Sequence, residues 1–185
     1  MRAAFQRLVD DEKIERNPFG RFKTLPEEKK KRHMTFSELI AFLKFVQENA
    51  SEDIWRLCRI YANTGRRRNE ILDLHRHDVD IERGIYRPVN IKSHDKHKIS
   101  RPIPDENISD FRYFLEKYPG KKYPFQIYSS REVTRKITRR FIAFGHTNLT
   151  IHSFRHTYIT LLREKGILFL FCVSLLNILD TPEIY

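Results

Sequence analysis

Apolar side chains recur at helical spacing along most of this 185-residue chain, and two capping boxes mark where helices begin. The segments Thr35–Glu38 and Ser129–Glu132 each place a hydroxyl three residues before a glutamate. At this spacing the two side chains satisfy each other's free backbone N–H groups at a helix start. After the second box, Val133, Ile137 and Phe141 recur every four residues and share one helical face. Helices therefore dominate the predicted fold.

One stretch departs from this periodicity and predicts a β-hairpin. Residues 84–91 (GIYRPVNI) and 98–103 (KISRPI) are expected to be two short strands joined by the polar loop SHDKH. Pro88 and Pro102 indicate edge strands, because proline cannot donate to a sheet ladder. The predicted fold class is mostly α with a small antiparallel β-hairpin or sheet (α+β). The predicted helices cover 3–14, a segment starting at the first capping box, 52–63, Arg67 to the turn at His77–Asp78, 106–118, 130–143, 152–165 and 167–178.

The composition divides the chain into three parts. Residues 1–19 carry one predicted helix, residues 20–33 form a basic, charged linker, and residues 34–185 hold all the other elements. A lone helix cannot bury its apolar face. We therefore expect residues 1–19 to be the remnant of a larger N-terminal domain.

Net charge limits the partners of this chain. Lysine and arginine number 35 against 24 aspartates and glutamates, a net charge of +11 with a pI near 9.8. This surplus favours a polyanionic partner, nucleic acid before an anionic membrane. The most apolar run, residues 167–179, is shorter than the ~20 residues that cross a bilayer, so we predict a buried helix there and no membrane partner. Cys58 and Cys172 lie far apart, a pattern typical of buried thiols in a reducing cytosol.

The segment TGRRRNE, residues 64–70, is a candidate anion site. Arg67 stands just after Gly65, at the predicted start of a helix, where free backbone N–H groups and the helix dipole attract anions. Its planar guanidinium matches two phosphate oxygens, and Glu70, three residues on, can support it. The same segment is also compatible with a solvated helix face that carries a surface ion pair.

A second candidate lies in HSFRHTYITLL, residues 152–162. His152 and Arg155 are three residues apart in the predicted first turn of a helix, so they project in similar directions. His152 and His156 also have the spacing of a zinc pair, but the sequence offers no pattern for a third ligand, and we predict no metal site.

Three segments, in this order, resemble the signatures of the tyrosine recombinases, the phage-integrase family. The first is TGRRRNEILDLHRHDVD, which matches T-G-x-R-x-x-E and the later Leu and Asp. The second is IHSFRHTYITLL, which matches H-x-[LF]-R-H-[TS], and the third is TPEIY, which matches T-x-x-[IV]-Y. KIERNPF, before the linker, is similar to the end of the family's helical core-binding domain. The resemblance implies that residues 34–185 are a tyrosine-recombinase catalytic domain.

The family's catalytic residues map onto matching positions of this sequence. The resemblance implies that Tyr185 is the nucleophile and that a lysine near the hairpin loop is the general acid. Lys92 directly follows the first strand, and Lys96 is the alternative because of its distance from the following Pro104. The implied phosphate-binding and supporting residues are Arg67, His152, Arg155 and Glu70.

The resemblance also implies the reaction and its partners. The family cuts and rejoins double-stranded DNA through a 3′-phosphotyrosine intermediate, without a metal or other cofactor, and assembles as a tetramer on DNA. The resemblance further implies a cytoplasmic, nucleoid-associated protein of a bacterium or phage. Its gene is expected to lie on a prophage or another mobile element. The residues predicted to contact DNA are Arg66, Arg68, Arg131, Arg135, Lys136, Arg139 and Arg140.

This sequence departs from the family pattern near its C-terminus. Leu176 occupies the position, nine residues before Tyr185, where the family has a histidine or tryptophan that donates to the phosphate. The segment that follows the nucleophile in the family has no counterpart here, so we expect a chain truncated at both ends. Three activities remain open: a site-specific recombinase, a DNA-binding remnant with impaired catalysis, and nicking and resealing of the type IB topoisomerase kind.

Overall fold

A computed structural model describes residues 2–20, 33–89 and 98–165 of the chain. The chain forms two compact units, Met1–Lys30 and Lys31–Tyr185. In the first unit, helix α1 spans Arg2–Asp10, shorter than the predicted 3–14, and the rings of Phe5 and Phe19 pack edge to face with centroids 5.1 Å apart. The predicted linker falls almost entirely outside the described residues.

Six helices are described in the second unit, and both predicted capping boxes are confirmed. At the first box Thr35 N donates to Glu38 Oε2 over 2.7 Å, and at the second Ser129 N donates to Glu132 Oε2 over 3.1 Å. These bonds fix where two of the helices begin. The helices are α2 (Phe36–Asn49), α3 (Glu52–Thr64), α4 (Arg68–Leu72), α5 (Ile108–Lys117), α6 (Ser130–Ala143) and α7 (Ile151–Glu164).

The predicted hairpin is part of a three-stranded antiparallel sheet. The strands are β1 (Val79–Asp80), β2 (Ile85–Tyr86) and β3 (Arg101–Pro102), in that order, and β1 was not predicted. Pro102 lies on the edge strand β3, as expected. Pro88 does not mark an edge, since β2 is the central strand and ends before it.

The core of the second unit surrounds α3. Leu57, Cys58 and Tyr61 are fully buried along this helix, and burial raises the pKa of the Cys58 thiol. Phe42 of α2 stacks on Phe141 of α6, with ring centroids 4.2 Å apart. This packing fixes the helices from which the candidate site is built.

Some predicted details are wrong. The helix expected from Arg67 to His77–Asp78 ends at Leu72, and a separate 3-10 turn covers Arg76–Asp78, because the backbone N–H of Arg76 bonds to Lys122 O on a distant loop. Ile40 of α2 is 53% exposed and lines an open groove between α2, α3 and α7. No helix in the described ranges is long and apolar enough to cross a membrane.

Candidate active site

The TGRRRNE segment is the junction between two helices. Helix α3 ends at Thr64, and Gly65 caps it in the left-handed conformation, with φ at 60°. The chain then turns, and Arg67 forms the N-cap of α4 with extended backbone geometry. Glycine suits this turn, since a left-handed backbone is costly for residues with a Cβ.

A buried carboxylate organises the arginines after this turn. Glu70 is 3% exposed, and its Oε1 accepts a 2.9 Å hydrogen bond from Arg67 Nη1. Its Oε2 accepts from the backbone N–H of Arg67 over 3.2 Å and lies 3.8 Å from Arg66 Nη1. Glu70 therefore holds Arg67 through both its side chain and its backbone, while the Arg67 side chain stays 21% exposed at the surface.

Arg155 joins the second sequence segment to the first. Its Nη1 donates to the carbonyl oxygen of Gly65 over 2.9 Å, and its side chain is buried. Burial and the positive charges of Arg67 and Arg66 lower the pKa of Arg155 to about 10, while Glu70 opposes this shift. Arg155 therefore remains charged at neutral pH, in surroundings that disfavour its charge.

Tyr158, one turn after Arg155 on α7, packs against the same glycine. A Cβ built on Gly65 would lie 2.4 Å from Tyr158 Cδ1. Glycine is thus required at this position by packing as well as by backbone conformation.

His152 lies at the start of α7 with an exposed side chain. Its ring meets His156 edge to face, with centroids 4.8 Å apart. Among the described residues, no group of three His, Cys, Asp or Glu side chains could hold a metal ion. Arg67 is partly exposed and His152 is exposed, whereas Arg155 and Glu70 are buried.

Comparison with solved structures identifies this architecture. The Tn1549 transposon integrase bound to a circular intermediate DNA superposes with a TM-score of 0.76 at 18% identity, over 94% of this chain and 67% of that one. A lambda integrase dimer bound to a COC′ core site gives 0.74 at 18% identity, over 100% and 71%. XerA recombinase gives 0.65 at 18% identity, over 83% and 57%.

This chain has the fold of a tyrosine recombinase catalytic domain. The fold class and the resemblance stated from sequence are thereby confirmed at the level of fold. No family model and no curated protein matches the sequence itself. The chain spans about half to two-thirds of the length of the recombinase structures that it resembles.

Within this tyrosine-recombinase fold, the three consecutive arginines lie in three different environments. Arg66 is 4% exposed, so the alternative interpretation of this segment as a solvated helix face does not hold for Arg66. Its predicted contact with DNA stays a prediction, and little of its surface could reach a DNA phosphate. Arg68 is partly buried and donates to Thr134 Oγ1 of α6 over 2.9 Å. Only Arg67 combines exposure at the surface with a hydrogen bond to Glu70.

Two residues beside this cluster were not singled out in the sequence. Tyr86 of β2 and Arg101 of β3 form a register pair and are 2% and 8% exposed. Burial raises the pKa of Tyr86, whereas the charge of Arg66 and a hydrogen bond from it oppose the shift. Burial and Arg66 lower the pKa of Arg101. No local motif marks these contacts, because they join residues distant in the chain.

Helix α6 separates its predicted DNA contacts into two groups. Arg131, Arg135 and Arg139 are exposed and line one groove of about 690 Å³, together with Arg68. Lys136 lies on another side of the helix, with Nζ 4.5 Å from the centroid of the Tyr128 ring. Arg140 is half-buried and does not line this groove.

Four predicted residues lie outside the described part of the chain. They are Lys92, Lys96, Leu176 and Tyr185. Their assignments as general acid, altered phosphate contact and nucleophile stay predictions.

Proposed function

We propose that this chain is the catalytic domain of a site-specific DNA recombinase, which cuts and rejoins duplex DNA in integration or excision. The observation that carries this proposal is the 2.9 Å bond from Arg155 to the carbonyl of Gly65, which joins the two arginine-bearing segments beside one buried carboxylate. The fold supports it, and several structures with this fold are integrases bound to DNA.

The proposed role of this cluster is to bind the scissile phosphate. Attack on a phosphodiester generates a five-coordinate phosphorus that carries additional negative charge. Arg67, Arg155 and His152 would stabilise that charge with donors fixed before the reaction, so little reorganisation is needed. Glu70 and the Gly65 carbonyl hold the two guanidinium groups in place.

The proposed chemical step is a transesterification. The phenolic oxygen of Tyr185 loses its proton to water and forms a bond to phosphorus, and the bond from phosphorus to the 5′-oxygen breaks. The leaving 5′-oxygen takes a proton from Lys92, or from Lys96 in its place. Because one phosphodiester bond replaces another as a 3′-phosphotyrosine, the reverse step rejoins the strand without ATP. Attack by the new 5′-hydroxyl of another duplex would complete the recombination.

DNA binding is assigned to the groove of α6. Arg131, Arg135 and Arg139 recur every four residues along one exposed side, where they can neutralise consecutive backbone phosphates. We further propose that copies of the protein associate on DNA, since lambda integrase forms a tetramer on a Holliday junction. The proposed setting is the cytoplasm, beside the nucleoid, with the gene on a prophage or another mobile element.

A second candidate function is a DNA-binding remnant that no longer cuts. Leu176 favours it, because a leucine cannot donate the hydrogen bond that the family's histidine or tryptophan supplies at this position. Loss of one such donor costs roughly 10²–10³ in rate. Nicking and resealing without strand exchange would use the same chemistry as recombination. The two activities differ in their DNA products, because only recombination joins strands from different duplexes.

A suicide duplex, nicked so that the cleaved strand loses a short fragment, tests this function. We expect a covalent protein–DNA adduct that resists denaturing electrophoresis, and an Arg67→Ala variant that forms it roughly 10²–10³-fold more slowly. Arg56→Met is the matched control, since Arg56 pairs with the buried Asp110 instead of Glu70. DNA binding without an adduct would favour the remnant, and equal rates in both variants would contradict the role of Arg67.

A further inference from the structure

Arg66 occupies the x after T-G in the motif T-G-x-R-x-x-E, a position at which the motif specifies no residue. The side chain of Arg66 is nevertheless among the most buried charged side chains in the described residues. Its side chain is 3% exposed, compared with 21% for Arg67. Removing a guanidinium from water is costly and is tolerated where nearby groups compensate for it. The surroundings of Arg66 therefore indicate what this residue does.

We propose that Arg66 is a positioning residue, which fixes the Glu70 carboxylate and thereby orients the Arg67 guanidinium toward a bound phosphate. This inference rests on the proposed function, because it assigns phosphate to the site of Arg67. It concerns a residue that would not touch the phosphate itself.

The two oxygens of Glu70 face two different arginines. Oε1 accepts from Arg67 Nη1 over 2.9 Å, and Oε2 lies 3.8 Å from Arg66 Nη1. Oε2 also accepts from the Arg67 backbone N–H over 3.2 Å. A charge on each side of a carboxylate opposes rotation about its terminal torsion, which is otherwise broad for glutamate. Loss of Arg66 would remove that constraint on the oxygen opposite Arg67.

Arg66 is held in turn by the sheet. Tyr86 on the central strand contacts Arg66 through a hydrogen bond, and Arg101 lies opposite Tyr86 in the register of β2 and β3. The positive charge of Arg66 lowers the pKa of Arg101, so these two guanidinium groups repel each other and the hydrogen bond with Tyr86 is the attractive contact. Arg66 therefore links Glu70 on α4 to Tyr86 of the sheet, so that the carboxylate is positioned by tertiary structure as well as by its own short helix.

A double-mutant cycle with inorganic phosphate as the probe tests this role. The variants are Arg66→Met, Glu70→Gln and the pair, with phosphate affinity measured by calorimetry at constant ionic strength. We expect Arg66→Met to weaken phosphate binding about tenfold, which corresponds to about 1.4 kcal/mol. Because Arg66 acts through Glu70, the double variant should bind little worse than Glu70→Gln alone. Arg66→Lys should recover part of the affinity.

Arg56→Met is again the matched control, because it removes an arginine that pairs with a fully buried carboxylate elsewhere. It should lower the melting temperature without changing phosphate affinity. Arg66 is structural only, and the proposal is wrong, if Arg66→Met also lowers the melting temperature without changing phosphate affinity. The proposal is equally wrong if the losses of phosphate affinity in Arg66→Met and Glu70→Gln add fully in the double variant. If Arg66→Met does not fold, the cycle is run with Arg66→Lys, and full additivity there overturns the proposal equally.

The proposed function is tested separately by the DNA adduct. The expected phosphate cycle in a protein that forms no adduct would contradict the recombinase and support the positioning role. Formation of the adduct, together with fully additive effects of the Arg66 and Glu70 substitutions on phosphate affinity, would support the recombinase and contradict the positioning role. Failure of the unaltered protein to bind phosphate would overturn the positioning role.

Discussion

Arg155 on α7 donates a 2.9 Å hydrogen bond to the carbonyl oxygen of Gly65, 90 residues earlier in the chain. This bond connects the last described helix to the turn that presents Arg67. A change on either side of it should alter both stability and phosphate binding.

Gly65→Ala should be much more destabilising than the same change at Gly84. Both glycines have φ near 60°, so each alanine incurs the left-handed backbone cost of about 1–2 kcal/mol. Only at Gly65 does the added Cβ meet another side chain, at 2.4 Å from Tyr158 Cδ1, whereas nothing lies within 4 Å at Gly84. Overpacking should add about 1–3 kcal/mol. Urea unfolding of both variants measures the difference, and equal losses would show that Tyr158 moves aside freely.

Inorganic phosphate should stabilise the protein, and Arg155→Met should remove most of that effect. The nearby charges of Arg66 and Arg67 make the charged form of Arg155 unfavourable, and a bound anion would compensate for them. Phosphate at about 100 times its Kd would add about 2.7 kcal/mol to the free energy of unfolding. Thermal melts at constant ionic strength, with chloride as the control anion, measure this. An unchanged phosphate effect in Arg155→Met would place the anion elsewhere.

The contribution of Arg155 to stability should depend on pH in a defined direction. The pKa of Arg155 is depressed to about 10 in the folded state, below that of the unfolded chain. Between these two values the unfolded state binds more protons, so the contribution of Arg155 to stability rises with pH above about 10. At pH 6–8 Arg155 is charged in both states and contributes no slope. The Arg155→Met variant should therefore show the same dependence of the free energy of unfolding on pH as the unaltered protein across pH 6–8. A different slope in this range would contradict the burial of a charged Arg155.

On α6, the exposed arginines should contribute more to DNA binding than their neighbour Lys136. Arg135→Ala should weaken binding to duplex DNA and reduce the slope of log affinity against log salt by about 1. Lys136→Ala should have a smaller effect, since Lys136 lies against the Tyr128 ring outside the arginine groove. Arg112→Ala, an exposed arginine on α5, controls for the loss of one charge. Equal slopes for all three variants would contradict a specific role for the groove.

Local sequence signals predicted the helical part of this fold well. Both capping boxes and the buried face of Val133, Ile137 and Phe141 depend on residues within one or two turns of each other. Strand β1 was missed, because two residues are too few to establish an alternating pattern.

The candidate site was predictable only in part. The arginines and Glu70 follow from short motifs, and the spacing of Arg67 and Glu70 indicated their contact. The different burial of Arg66 and Arg67 did not follow from the sequence, because it depends on Tyr86 and Arg101 in the sheet. The bond from Arg155 to Gly65 likewise depends on how α7 packs against α3.

The most direct test of the account is covalent capture of the nucleophile on a suicide duplex. The unaltered protein should form an adduct whose linkage, located by mass spectrometry, is a phosphotyrosine at Tyr185. Tyr185→Phe should bind the same DNA with unchanged affinity and form no adduct. An adduct that persists in Tyr185→Phe would contradict the proposed nucleophile, and the absence of any adduct from the unaltered protein would contradict strand cleavage by this chain.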